Sequence, residues 1–238
     1  MSAPRLSHRV LEAPRAGAAV GTSEDAAAVA AEAWPVGAAV ADGATESAFA
    51  GLWARTLAQA LARDRATDEA SFRRVLNEGR EEWRKEISER ATDGPWYVRA
   101  KAEEGAFAAI LSLRLSENGT WRALSVGDCC LFRLREGHGR RSWPFETPDA
   151  FTNRPPLVAS RANHSAPPPR TASGTWAEGD TFLLATDAAA AWLLGREDVP
   201  VGSWDQDSFR AAVRTARERG TLRNDDVTVL VLDLHDGG

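Results

Sequence analysis

Residues 36–51 read VGAAVADGATESAFAG. A short apolar run, Val36, Ala38, Ala39 and Val40, stops at Asp42-Gly43. A run of that length ending in a turn signal predicts a buried strand over residues 36–41. Asp42 is then an acid held at the end of a strand, beside a glycine that frees the backbone. A carboxylate and a backbone carbonyl at one place suit a hard cation. A single Asp proves little, so the reading depends on whether other acids arrive at the same end.

Working outward, Phe49, Leu52, Trp53, Thr56, Leu57, Ala60 and Leu61 recur at helical spacing and predict an amphipathic helix from about residue 45 to 63. Asp68 is a plausible N-cap for a second helix to about residue 90, with Phe72, Val75, Leu76, Trp83 and Ile87 on one face. Upstream, a first strand is expected over residues 6–12. The alanine-rich run 26–31 reads as a buried strand despite its helix propensity, because Pro35 follows too soon for a helix.

From Gly105 the texture becomes that of strands. Residues 106–115 and 121–126 flank Glu117-Asn118-Gly119, a strong hairpin turn. A further strand is expected over 129–134, and another turn at 136–139. Pro155, Pro156, Pro167, Pro168 and Pro169 make 147–173 an irregular, flap-like segment. Residues 181–186 form a buried strand that ends at Asp187. A helix over 188–194 stops at Gly195. The last helix starts at Asp205 or Asp207 and closes at Gly220, and the last strand, 227–234, follows Asn224-Asp225-Asp226.

Composition narrows the function classes. The chain has 238 residues, 43% hydrophobic and 26% charged, and carries a formal charge of -5. That balance fits one globular domain over 1–238 and argues against a nucleic-acid binder, which needs a basic face. Cys129 and Cys130 are adjacent and offer neither a disulfide framework nor zinc spacing. No stretch approaches the roughly 18 apolar residues of a membrane span, and MSAPRLSHRVLEAPRAG lacks an apolar signal core. A cytoplasmic monomer without membrane contact is expected.

Four acids fall at strand ends. Asp25 and Asp225 precede strands, whereas Asp42 and Asp187 terminate them. In antiparallel sheets the start of one strand lies beside the end of its neighbour, so the four can share one edge, and Asp128 can join them. Clustered carboxylates repel unless a cation neutralises them. An all-oxygen set without His or Cys points to Mg²⁺ or Mn²⁺ rather than zinc. Two such ions can activate a water and stabilise phosphoryl charge. The plain alternative is that these Asp residues only cap turns and helices.

At these residues the chain resembles the PPM family of metal-dependent serine/threonine phosphatases, the protein phosphatase 2C type. Ser23-Glu24-Asp25-Ala26 is similar to the family's Asn-Glu-Asp-Ala. Val40-Ala41-Asp42-Gly43 resembles its Asp-Gly, and Val126-Gly127-Asp128-Cys129 its Gly-Asp-Ser. Ala185-Thr186-Asp187 resembles its Thr-Asp-Gly, and Asn224-Asp225-Asp226-Val227-Thr228 its C-terminal Asp-Asn-hydrophobic-Thr. The resemblance implies an α+β fold, an α-β-β-α sandwich of two antiparallel sheets with helix layers outside. It also implies a phosphomonoester hydrolase acting on phosphoserine or phosphothreonine proteins. Two Mg²⁺ or Mn²⁺ ions would be held by Asp25, Asp42, Gly43, Asp187 and Asp225, with Asp42 shared and Asp128 available to a third. No side-chain nucleophile is implied, since a metal-activated water does that work, and Cys129 reads as a buried structural thiol.

Departures from the pattern bear on catalysis. The family's phosphate-binding Arg position is Val20, leaving Arg5, Arg9 or Arg15 as substitutes. Ala44-Thr45-Glu46-Ser47 follows Asp42-Gly43 where glycines are usual, Ala188 replaces the Gly of Thr-Asp-Gly, and Ala191 replaces a frequent third-metal acid. A pseudophosphatase, a binding module that keeps part of the metal site, is the second reading.

Overall fold

The computed structural model describes residues 4–18, 22–44, 49–92, 104–136, 139–152, 154–197, 202 and 204–235. Two antiparallel sheets face each other and helices cover both outer faces, the α-β-β-α arrangement expected. One sheet has the order β1-β11-β10-β6-β7, built from β1 (Arg5–Ala13), β11 (Val227–His235), β10 (Thr181–Ala185), β6 (Cys130–Arg135) and β7 (Gly139–Trp143). The other runs β2-β3-β4-β5-β9, from β2 (Asp25–Ala30), β3 (Val36–Gly43), β4 (Phe107–Ser116), β5 (Thr120–Val126) and β9 (Arg170–Thr175). The short β8 (Val158–Ala159) pairs with β4.

Alternation along the strands builds three apolar layers. Val36, Ala38 and Val40 of β3, with Leu111 and Leu113 of neighbouring β4, face Phe182, Leu230 and Leu232 of the other sheet. Ala39 and Ala41 face outward, against helices α1 (Ala50–Asp64) and α2 (Glu69–Thr92). Small side chains are needed on that outer face because α1 lies close: a Cβ on Gly37 would stand 2.0 Å from the Ala62 carbonyl oxygen. This explains why an alanine-rich run is strand here, since helix propensity is a weak prior beside tertiary packing. On the opposite face, α3 (Asp187–Leu194) and α4 (Gln206–Glu218) cover β6, β10 and β11, with Trp192, Trp204 and Phe209 stacked in the seam.

Helix ends follow local chemistry. Asp68 Oδ1 accepts from the Ser71 amide at 2.8 Å, and Asp205 forms a reciprocal capping box with Ser208. Helix α1 begins at Ala50 rather than near residue 45. Ala44 still donates to the Phe107 carbonyl at 2.9 Å, prolonging the β3–β4 ladder, and Phe49 enters the helix in a left-handed conformation with φ 65°. Residues 45–48 of the expected helix lie outside the described residues.

The irregular segment expected over 147–173 is more ordered than its prolines suggested. It holds a 3₁₀ turn (Pro148–Ala150), then β8, and it gives its last residues to β9. Trp53 Nε1 donates to the Val158 carbonyl and Arg80 Nε to the Ala159 carbonyl, so helices α1 and α2 pin β8. Strand β7 was not expected either; its sequence, GRRSW, carries no apolar alternation. Among the described residues no helix is long and apolar enough to cross a membrane.

Candidate metal centre

Strand register brings the acids together. Asp25, the first residue of β2, stands directly opposite Asp42 of β3. Gly43 then lets the chain pass closely between two backbones: its amide donates to the Glu24 carbonyl at 3.1 Å, and a Cβ there would meet Ala50 and Glu24 backbone atoms at 2.8 Å. From the other side, Gly127 turns the chain between β5 and β6 with φ 103°, where a Cβ would come within 2.4 Å of Ala109. That turn directs Asp128 inward, to 4% exposure. Asp187 opens α3 directly after β10.

Carboxylate oxygens of Asp42, Asp128 and Asp187 all lie within 4.8 Å of one another. Oxygens bound to one small divalent ion, each about 2.1 Å from it, are at most about 4.2 Å apart. The trio therefore needs only a few tenths of an ångström of closure to hold a cation. Its donor set is all oxygen, and the nearby Cys129 thiol is free, fully buried and pushed up in pKa, first by burial and then by the Asp42 charge. Such a set fits Mg²⁺ or Mn²⁺ and not zinc.

Asp25 belongs to the same neighbourhood but is held differently. Thr186 Oγ1 donates to Asp25 Oδ2 at 2.8 Å. The same hydroxyl accepts from the Thr228 amide at 3.1 Å, and Thr186 N donates to the Thr228 carbonyl at 3.1 Å. The Thr228 hydroxyl lies close enough to the same carboxylate to favour its charged form, although it is buried without a hydrogen-bond partner among the described residues. Asp225 stands at the rim, and Arg223 ties it to the cluster. Its guanidinium pairs with Asp187 Oδ2 and lies 3.2 Å from Asp225 Oδ2.

The electrostatics show uncompensated negative charge. Burial holds Asp25 and Asp42 well above the usual carboxylate range, and for Asp42 the charges of Asp25, Asp187 and Asp128 add to it. Asp128 is pushed up to about 7, by burial first and then by Asp187. Asp225 is also raised, by burial and by Asp187, although Arg223 opposes the shift. A cation would reverse this, because it favours the charged form of every acid around it.

The three arginines set against Val20 fall at different places. Arg5 sits at the far end of β1, opposite His235, and Arg9 at its middle, opposite Val231, where it pairs with Asp233 at 2.5 Å. Arg15 lies at the same end as the acids but is bound to Glu24 at 3.4 Å, and its amide donates to Asp226. Asp226 accepts from the Glu24 amide too, so it fastens the turn leading to Asp25. Arg223 was missed in the sequence; only its contact with Asp187, 36 positions away, reveals it. Thr186 and Thr228 were quoted within motifs without a role of their own.

A family model described as "Protein phosphatase 2C" matches residues 21–226. The fold resembles that of the Mycobacterium tuberculosis serine/threonine phosphatase PstP/Ppp, with TM-score 0.66, 16% identity, and coverage of 97% of this chain and 99% of that one. The catalytic domain of PstP in complex with two manganese ions matches with TM-score 0.62 and 18% identity, over 97% and 99% of the two chains. RsbX in complex with magnesium matches with TM-score 0.56 and 16% identity, over 98% and 100%. At these identities the likeness is one of fold. No curated protein sequence matches the chain.

Proposed function

Because this chain belongs to the protein phosphatase 2C family, we propose that it is an active metal-dependent phosphomonoester hydrolase whose substrates are phosphoserine or phosphothreonine proteins. The observation that carries the reading is the convergence of Asp42, Asp128 and Asp187 oxygens within 4.8 Å, in a site with too much negative charge and no metal-ligating nitrogen. Structural relatives that bind manganese or magnesium add support for the choice of ion. The binding-module alternative is not favoured, since the residues that depart from the family pattern leave the acids assembled.

Two bound Mg²⁺ or Mn²⁺ ions would supply Lewis acidity and a water made nucleophilic near neutral pH. Asp42, Asp128 and Asp187 would hold one ion. Asp187 and Asp225 would hold the second, with the Gly43 carbonyl and Asp25 at the β2–β3 end behind them. Thr186 keeps Asp25 oriented and favours its charged form against the larger, opposing effect of burial. Arg223, whose Nη2 contacts both Asp187 and Asp225 at the rim of the centre, would capture phosphate once ions take its place on those carboxylates.

The test is hydrolysis of p-nitrophenyl phosphate with Mn²⁺ by folded wild type and by Asp42→Ala. Turnover that needs Mn²⁺ and vanishes in the variant is expected. Folded wild type without metal-dependent turnover of this or a phosphoserine peptide would overturn the enzymatic reading.

A further inference from the structure

A second charged feature lies away from the acids, at the open edge of the sandwich. There β7 ends one sheet and β9 ends the other, and a groove of about 390 Å³ runs between them. Trp121, Arg133, Arg141, Trp143, Gly174 and Thr175 are among its lining residues. Arg133 and Arg141 stand directly opposite each other on β6 and β7. Like charges in that position destabilise a sheet unless something answers them.

Nothing described in the protein answers them. Asp180, the acid nearest Arg133, is taken through both oxygens by Arg135, at 2.6 and 2.7 Å, and also accepts from the Ala177 amide. Arg133 spends one donor on the Thr175 carbonyl at 2.7 Å, which bridges the two sheets at the groove. Arg141 is exposed. Arg135 thus takes the one carboxylate whose charge reaches Arg133. The Arg133 guanidinium has its pKa lowered, by burial first and then by Arg135 and Arg141. At the wall, the Trp121 indole lies against Gly174, where a Cβ would stand 2.9 Å from Nε1, and that N–H has no acceptor.

The geometry points to a docking groove for an extended acidic segment of the protein substrate, seated along β7 and β9 with its carboxylates on Arg133 and Arg141. Charge selects the occupant, and shape selects a peptide over a small anion. The groove falls in the roughly 300–1,000 Å³ range of ligand sites, larger than one phosphate needs. Both flanking strands are sheet edges, whose free backbone groups suit a chain in extended form. Arg133 lies five residues along the chain from Asp128, at most about 16 Å at 3.3 Å per residue, on the way out from the metal centre. An extended substrate would therefore carry its acidic residues up to about five positions from the phosphorylated one. The inference concerns the substrates of the reaction proposed above and rests on that reading for its biological sense, but docking is measured separately.

The experiment is fluorescence anisotropy of a labelled hexaglutamate peptide, with hexaglutamine as the neutral control, on the full chain. Arg141→Ala is the informative variant, because Arg141 is exposed and its side chain makes no hydrogen bond or ion pair among the described residues. Wild type should bind hexaglutamate and not hexaglutamine. Arg141→Ala should bind it about tenfold more weakly, and Arg141→Glu not detectably. Hydrolysis of p-nitrophenyl phosphate should be unchanged in both variants. Equal affinity of wild type and Arg141→Glu, or equal binding of the neutral peptide, would overturn the groove while leaving the hydrolase reading intact. Arginine-dependent peptide binding in a protein that hydrolyses nothing would keep the groove and sink the hydrolase reading.

Discussion

Thr186 donates its hydroxyl to Asp25 across the two sheets at 2.8 Å, and both residues are buried, at 0% and 6% exposure. The bond joins the end of β10 to the start of β2, so the metal centre is a seam between sheets and not the property of either. Thr186→Val keeps the shape and removes the donor. It should destabilise the protein by about 1–3 kcal/mol, since the partner carboxyl is left buried with one bond fewer. Urea unfolding measures this, and Thr186→Ser should recover most of the loss.

Asp42 is held above the usual carboxylate range by burial and by three neighbouring acids. Removing its charge relieves that repulsion. Metal-free Asp42→Asn should therefore unfold at higher temperature than metal-free wild type, by on the order of 1 kcal/mol. With Mn²⁺ the order should invert, because only wild type gains stability from a ligand that binds the folded state. Calorimetric melting with and without Mn²⁺ reads both signs. An Asp42→Asn protein that gains as much from Mn²⁺ as wild type would remove Asp42 from the metal centre.

Asp128 has a folded-state pKa of about 7 against an ordinary 3.8. The folded protein thus binds this proton more tightly than the unfolded chain does. The associated stability is fully present below the unfolded value and is lost as pH rises through the folded value. The loss has an upper bound of about 4 kcal/mol. The urea midpoint of metal-free protein should fall from about pH 4 to about pH 7, and Asp128→Asn should flatten that fall. Mn²⁺ competes with the same proton, so its affinity should rise over the same window.

Arg223 bridges Asp187 and Asp225 from a side chain that is half exposed. If it captures phosphate, Arg223→Ala should raise KM for p-nitrophenyl phosphate about tenfold with a smaller change in kcat, the pattern of lost ground-state binding. Inhibition by inorganic phosphate should weaken in parallel. The opposite split, with kcat falling and KM unchanged, would assign Arg223 to the transition state alone.

Much of the layered fold was legible because its central elements are strongly patterned. Strand β3 alternates between two apolar surfaces, α1 and α2 carry clean helical stripes, and Asp68 and Asp205 announce helix starts. Strands β7 and β9 escaped notice because edge strands need no apolar alternation: GRRSW and RTASGT look like loop. Helix α1 starts at Ala50 because Phe49 before it takes a left-handed conformation, which helical periodicity does not announce.

The sequence by itself determined which acids stand at strand ends, since Asp25, Asp42, Asp187 and Asp225 each border an apolar run. Antiparallel pairing brings Asp25 beside Asp42, and Asp187 to the same end as Asp225, but the two pairs meet only because the sheets pack face to face. What the carboxylates do at the meeting point was decided by tertiary structure alone. Register put Asp25 opposite Asp42, but Thr186 claimed one of its oxygens; Asp128 joined Asp42 and Asp187; Arg223 gathered Asp225. The opposed arginines of the open groove arose the same way, from the β6–β7 register. Strand ends follow from short-range periodicity, whereas charge partners are chosen by contacts between residues far apart in the chain. Asp42-Gly43 therefore announced a site, and the packing of the two sheets composed it.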